Sequence, residues 1–97
     1  MKLKPGVIAE YKKRHDEIWP ELEKALRAAG ISDYSIFLDE ETLTLFATQK
    51  LSDDDSASEL RHLPVMRKWW DYMAPLMEVH ADNSPVAAPL KEVFHLE

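Results

Sequence analysis

The longest periodic stretch of this sequence, residues 7–29, has the spacing of an amphipathic helix. Its apolar residues recur three, four and seven positions apart, and charged residues fill the opposite side. Pro20 lies inside the stretch and cannot donate a backbone hydrogen bond to the carbonyl of Asp16, so we expect a kink or break near residues 16–19. A second helical piece then begins at Pro20 and ends at Gly30, a residue typical of helix C-termini.

The remaining elements complete an α+β pattern. A strand at residues 34–38 and a second strand at 43–49 are joined by a polar turn at 39–42. A short helix at 57–62 and a long helix at 64–77 follow. A polar loop at 80–89 then leads to a final strand at 93–96. With a shortened first strand at residues 1–4, the order is βαββαβ, which is the ferredoxin-like order. It predicts an antiparallel sheet with the helices on one face. A second copy of the chain would best cover the other face, as in a dimeric α/β barrel.

Composition limits the possible partners. The 97 residues predict one domain, residues 1–97, with a thin core. A net charge of −6 argues against nucleic acid and against an anionic membrane surface, since both need clustered Lys and Arg. The absence of cysteine excludes disulfides and thiolate chemistry. Because we find neither an apolar run of membrane-spanning length nor a signal peptide, we expect a cytoplasmic location.

Tyr11 and His15 are the first candidates for chemistry. They are four residues apart and share the apolar face of the first helix, so two polar-tipped side chains point toward the interior. Histidine, with an ordinary pKa of about 6.5, can give or take a proton near neutrality. A lone histidine on an apolar face is more often a core residue with satisfied hydrogen bonds, and spacing alone does not decide between the two interpretations.

Aromatic and amide side chains form a second set of candidates. Trp69 and Trp70 are about 100° apart on a helix, so one could pack in the core while the other lines a cavity and stacks on a sugar ring. The sequence alone favours core or dimer-interface packing of the pair somewhat over a pocket. Tyr34 begins a strand, and Asp82 and Asn83 lie in a polar loop that Asx turns also explain. We predict no metal site, because no closely spaced ligand pair occurs, and no nucleotide cofactor, because the chain has two glycines.

Taken together, these segments resemble the L-rhamnose mutarotase family. The resemblance covers nearly the whole chain, through residues 10–22, 34–39, 65–73, 81–86 and 93–96. It implies a ferredoxin-like homodimer that interconverts the α and β anomers of L-rhamnopyranose without a cofactor. It also implies that His15 is the catalytic acid and that Tyr11, Tyr34, Trp69 and Trp70 contact the substrate. Asp82 and Asn83 are candidates for a substrate loop, although sugar binding is the minority interpretation of that segment. Family members usually carry several more residues before the position of Met1, so we expect the first strand to be shorter here than in those proteins.

Mutarotation fits such a modest site. The anomeric hydroxyl must lose a proton and the ring oxygen must gain one, and one acid/base group contributes about 10²–10⁴-fold to such a step. We hypothesise that His15 donates to the ring oxygen. A sugar-binding protein without turnover and a small haem-handling or cofactor-free monooxygenase are the alternatives on the same scaffold, since a fold does not determine a function.

Overall fold

The computed structural model describes all 97 residues, and the first helical stretch breaks where Pro20 predicts. Helix α1 comprises Ile8–Asp16 and helix α2 comprises Pro20–Ala28. Trp19 has extended backbone angles between them, and Pro20 occupies the first turn of α2, where its missing N–H costs nothing. The predicted break is confirmed.

Gly30 ends α2 in the left-handed conformation, with φ of 89°. A Cβ atom at this position would lie 2.2 Å from Ser52 Oγ, so only glycine fits here without displacing its neighbour. The carbonyl of Gly30 accepts a hydrogen bond from the backbone N–H of Ser52 at 2.9 Å. The end of α2 is therefore tied to the segment that follows the hairpin.

The predicted hairpin is formed by strands β1, Ile31–Asp39, and β2, Thr44–Leu51, which pair antiparallel. Leu38 lies opposite Leu45 on the inner face, and Phe37 lies opposite Phe46 on the outer face. The turn between the strands is held by the Asp39 carboxylate, which accepts a hydrogen bond from Thr42 Oγ1 at 2.8 Å.

Two short segments extend this pair into a larger sheet. Residues 1–4 lie beside β2, since Leu45 N donates to Met1 O at 2.7 Å. Residues 77–79 lie beside residues 1–4, since Glu78 N donates to Lys2 O at 3.0 Å and an antiparallel bridge joins Leu3 to Met77. The spatial order is thus 77–79, 1–4, β2, β1. This is the ferredoxin-like order, and the predicted α+β fold is confirmed.

Two of the predicted boundaries were wrong. Residues 93–96 were expected to form the last strand, but they carry no secondary structure and are exposed, because residues 77–79 already occupy the place beside residues 1–4. The predicted helix 64–77 ends earlier: α3 comprises Pro64–Met73 and is followed by a 3-10 turn, Ala74–Leu76. Pro75 lacks the N–H that a further α-helical turn requires.

The core lies between the helices and the inner face of the sheet. Its main cluster joins the N-terminal segment, all three helices and β2, and consists of Leu3, Tyr11, Leu22, Leu45, Trp69, Met73, Leu76 and Met77. A smaller cluster of Ala29, Ile31 and Leu60 includes the 3-10 turn Ala57–His62, which confirms the short helix predicted there. None of the helices is both long enough and apolar enough to cross a lipid bilayer.

Leu22 should be the most costly leucine to truncate. It is 1% exposed, so Leu22→Ala leaves a cavity that we expect to lower the free energy of unfolding by about 3 kcal/mol. The matched control is Leu90→Ala, where the side chain is 74% exposed and the expected change is below about 0.5 kcal/mol. Urea denaturation followed by circular dichroism measures both. Equal losses in the two variants would contradict this description of the core.

Candidate functional site

Helix α1 places Tyr11 and His15 one turn apart on its inner face. Their ring centroids are 4.4 Å apart, with the rings inclined by 35°. Tyr11 is buried and His15 is half-buried. The prediction that this pair points inward is therefore correct, and the imidazole reaches an environment with little water.

One hydrogen bond sets which nitrogen of His15 can react. Its Nδ1 atom lies 3.1 Å from the backbone carbonyl oxygen of Tyr11. A carbonyl oxygen only accepts, so Nδ1 carries the proton and Nε2 of the neutral ring has the free lone pair. Burial lowers the pKa of His15 below its ordinary value, and the Tyr11 carbonyl and Asp16 oppose that shift only partly. The neutral ring, with a basic Nε2, predominates at neutral pH.

Aromatic rings enclose His15 on the α3 side. The His15 ring meets Trp69 edge to face at a centroid distance of 5.4 Å, and Trp69 meets Trp19 in the same manner at 5.1 Å. Tyr72 packs against Trp19 at 5.4 Å and against Trp69 at 5.8 Å. Edge-to-face contacts are the favoured geometry for aromatic pairs, so this cluster holds α1 against α3 at a defined distance.

Arg14 fastens the same two helices from the outside. Its guanidinium carbon lies 4.1 Å from the centre of the Tyr72 ring, and its Nη1 donates to the Tyr72 carbonyl. Its Nε also donates to Glu10 at 2.8 Å, one turn back on α1. Because Arg14 precedes His15, this contact limits rotation of α1 at the position that matters for the imidazole.

Six of the seven predicted site residues line one cavity of about 100 Å³: Tyr11, His15, Tyr34, Trp69, Trp70 and Asn83. Both indoles reach it, although Trp69 also belongs to the buried core, so packing and lining are not alternatives for this pair. The other walls are apolar and consist of Met1, Ile36, Met66, Met73, Met77 and Pro85. Apolar walls with a few convergent polar groups are the lining expected of a small-molecule site.

A wider cleft of about 840 Å³ adjoins this cavity. The two share Tyr11, His15, Tyr34 and Ile36, so the imidazole stands between a small aromatic space and a larger one. The cleft has a charged rim made of Lys12, Asp16, Glu23, Arg27, Asp33 and Glu40. Of the two spaces, only the smaller cavity includes both indoles.

The two tyrosines present neutral hydroxyls to this space. Burial raises the pKa of Tyr11 well above its ordinary value, and the nearby Tyr34 raises it further, because two phenolate charges would repel. Burial also raises the pKa of Tyr34, although its side chain remains 46% exposed. Because Tyr34 is partly exposed, its pKa is raised less than that of Tyr11, and both groups stay protonated at neutral pH. They are therefore hydrogen-bond partners for a ligand rather than bases.

The polar loop divides into a part that reaches the cavity and a part that does not. Asn83 lines the cavity, and its Nδ2 donates to the Asp71 carboxylate at 3.0 Å. Asp82 is exposed and accepts hydrogen bonds from the backbone and hydroxyl of Ser84, which lower its pKa. The structure thus assigns Asp82 to an Asx turn and does not place it among the cavity residues.

Comparison with known proteins decides the family. A family model described as L-rhamnose mutarotase matches residues 1–96. The chain belongs to the L-rhamnose mutarotase family. The L-rhamnose mutarotase of Rhizobium meliloti strain 1021 is 59% identical over 97 residues, which are 100% of this chain and 93% of that protein. The one from Sinorhizobium medicae is 62% identical over 96 residues, covering 99% and 92% of the two chains.

A solved structure of this family agrees with the fold. The crystal structure of the L-rhamnose mutarotase from Formosa agariphila superposes on this chain with a TM-score of 0.92 and 54% identity, covering 100% of this chain and 93% of that one. The resemblance identified from the sequence is therefore confirmed at the level of the family and the fold.

Three residues that support the candidate site were not among the predicted site residues. Trp19 and Tyr72 complete the aromatic cluster around Trp69, and Asp71 holds Asn83. Trp19 directly precedes Pro20, and its position at the helix break was visible in the sequence. The Asp71–Asn83 contact joins residues twelve positions apart, and no local pattern indicates it.

The pKa of His15 can be measured directly. We expect the imidazole Cε1–H signal, followed by NMR and assigned by its loss in His15→Gln, to titrate below pH 6.5, because burial disfavours the cation. The unfolded chain then binds more protons than the native chain between the two pKa values. Stability should rise with pH across that window, and His15→Gln should lose this dependence. A titration midpoint at or above 6.5 would contradict the proposed desolvation.

Proposed function

We propose that this chain interconverts the α and β anomers of L-rhamnopyranose. The observation that carries the proposal is the cavity in which a neutral His15 meets two protonated tyrosines and two indoles. Membership of the L-rhamnose mutarotase family supports the same substrate and reaction. The chemistry requires only proton transfer, which this set of side chains can supply.

A single nitrogen can perform both proton transfers. The anomeric oxygen and the ring oxygen are both bonded to C1 of the sugar, so one Nε2 atom can lie within reach of both. Neutral His15 accepts the proton of the anomeric hydroxyl and donates it to the ring oxygen as the C1–O5 bond breaks. The aldehyde then rotates about C1–C2. The reverse transfers close the ring on its other face and return the imidazole to its neutral form.

The neighbouring side chains orient the sugar for this exchange. The Tyr11 and Tyr34 hydroxyls, kept protonated by burial, form hydrogen bonds with sugar oxygens. The faces of Trp69 and Trp70 pack against ring C–H groups and the methyl group of the deoxysugar. Exclusion of water by these rings strengthens each hydrogen bond inside the cavity.

The proposal is tested by measuring anomer exchange of L-rhamnose with saturation-transfer NMR. His15→Ala should slow enzymatic exchange by about 10²–10⁴-fold with the circular dichroism spectrum unchanged. His62→Ala, an exposed histidine outside the cavity, is the matched control and should keep the wild-type rate. Because the neutral ring begins the cycle, the wild-type rate should fall as the pH drops through the lowered pKa of His15. Saturable sugar binding without faster exchange would favour the non-catalytic sugar-binding alternative.

We also propose that the mutarotase is a homodimer that buries the outer face of the sheet. Phe37 and Phe46 form a cross-strand pair there and are 59% and 43% exposed in the single chain. Two adjacent exposed phenylalanines on an otherwise polar sheet face are typical of an association surface. The exposed C-terminal segment carries further apolar side chains, Leu90, Val93, Phe94 and Leu96.

Sedimentation velocity distinguishes these two apolar surfaces. The double variant Phe37→Ser/Phe46→Ser should shift the protein toward the monomer, with a dissociation constant raised by at least about tenfold, since two aromatic anchors are lost. Phe94→Ser, in the C-terminal segment, is the comparison variant. A dimer unaffected by the double variant but dissociated by Phe94→Ser would place the interface at the C-terminal segment instead of the sheet face.

A further inference from the structure

Strand β1 contains a bulge immediately before its contact with the cavity. Ser32 pairs with Lys50 and Ser35 pairs with Thr48, so two residues of β1, Asp33 and Tyr34, lie opposite one residue of β2. This count of two against one defines a β-bulge, which inserts one residue into one strand of an antiparallel pair.

The inserted residue changes which face the side chains of β1 meet. Ile31 is buried in the core before the bulge, and Ile36 and Leu38 pack against the core after it. In a regular strand, positions 31 and 36 would lie on opposite faces, because side chains alternate with a period of two. The extra residue of the bulge puts Ile31 and Ile36 on the same face. It thereby allows Ile31 to share the inner face with Tyr34, which lines the cavity with Tyr11 and His15.

Asp33 has the backbone conformation that the bulge needs. Its φ of 48° lies in the left-handed region. Glycine adopts this region readily, aspartate and asparagine are tolerated there, and β-branched residues are strongly disfavoured. Its side chain is exposed. Left-handed residues other than glycine are uncommon, and they concentrate where a strained backbone serves a site.

We propose that Asp33 is a positioning residue for the mutarotase reaction, acting through its left-handed backbone to hold the Tyr34 side chain in the cavity that it shares with His15. The carboxylate itself has no part in this role. The inference rests on the proposed function for its effect on turnover, but its effect on Tyr34 is independent of turnover.

Three substitutions of Asp33 separate the effect of its backbone conformation from the effect of its carboxylate. Asp33→Asn and Asp33→Gly both adopt the left-handed conformation, and we expect them to keep kcat/KM for anomer exchange within about twofold of wild type. Asp33→Val disfavours that conformation, and we expect it to lower kcat/KM by about 10- to 100-fold, the size of effect that misplacing a contact group produces. If Asp33→Val does not fold, Asp33→Ala provides the same comparison with a smaller expected loss.

A double-mutant cycle shows whether Asp33 acts through Tyr34. In a Tyr34→Phe background, adding Asp33→Val should change kcat/KM by less than about twofold, because the hydroxyl being positioned is already absent. The matched strain control is Leu43→Val, since Leu43 also has a positive φ of 59° but lies in the hairpin turn. It should lower the melting temperature and leave kcat/KM unchanged.

A second readout does not depend on catalysis. Burial raises the pKa of Tyr34, so the ¹³Cζ signal of that residue should titrate closer to the ordinary tyrosine value in Asp33→Val and remain shifted in Asp33→Asn. Absence of anomer exchange in the wild type would refute the proposed function alone. An unchanged Tyr34 titration in folded Asp33→Val, or equal activity losses in Asp33→Asn and Asp33→Val, would overturn the role of Asp33.

Discussion

The packing of α1 against α3 is the contact on which the site depends. Helix α1 has nine residues and buries one of them, Tyr11. Isolated helices of this length are marginal in water, so tertiary contacts must hold it in place. Trp69 provides them by meeting His15 and Trp19 edge to face, while Arg14 joins α1 to the α3 residue Tyr72. The contacts that stabilise the helix are thus the same ones that locate the imidazole.

That packing also determines the protonation states in the cavity. The aromatic rings remove water from around His15 and the two tyrosines, and loss of water disfavours every charged form. The imidazole becomes a neutral base and the phenols remain neutral donors. Anomer exchange begins and ends with a neutral sugar, so a cavity without permanent charge suits it.

The sequence predicted the elements whose patterns are local. The helix break at Pro20, the left-handed end at Gly30 and the hairpin follow from properties of single residues and their near neighbours. The identity of the last strand does not follow from such local properties. Residues 77–79 and residues 93–96 are both apolar enough for a strand, and only the tertiary path decides which of them pairs with residues 1–4.

The candidate site was predictable to a similar extent. The one-turn spacing of Tyr11 and His15 placed them together, but their meeting with Tyr34 and the indoles depends on long-range packing that the chain alone does not reveal. The family resemblance supplied that grouping. The bulge did leave a local signal, since Ile31, Tyr34, Ile36 and Leu38 are separated by three, two and two positions where an unbroken strand would show two throughout.

The two irregular points of the backbone lie on either side of the same cavity. The break at Trp19 follows α1 just past His15, and the Trp19 indole packs against Trp69, while the bulge at Asp33 directly precedes Tyr34. The bulge lets Ile31 and Tyr34, which are three positions apart, face the same side of the sheet, and an unbroken strand would not allow this. Regular secondary structure builds the support, and both departures from it lie next to side chains of the site. Local patterns therefore identify the scaffold more readily than the chemistry.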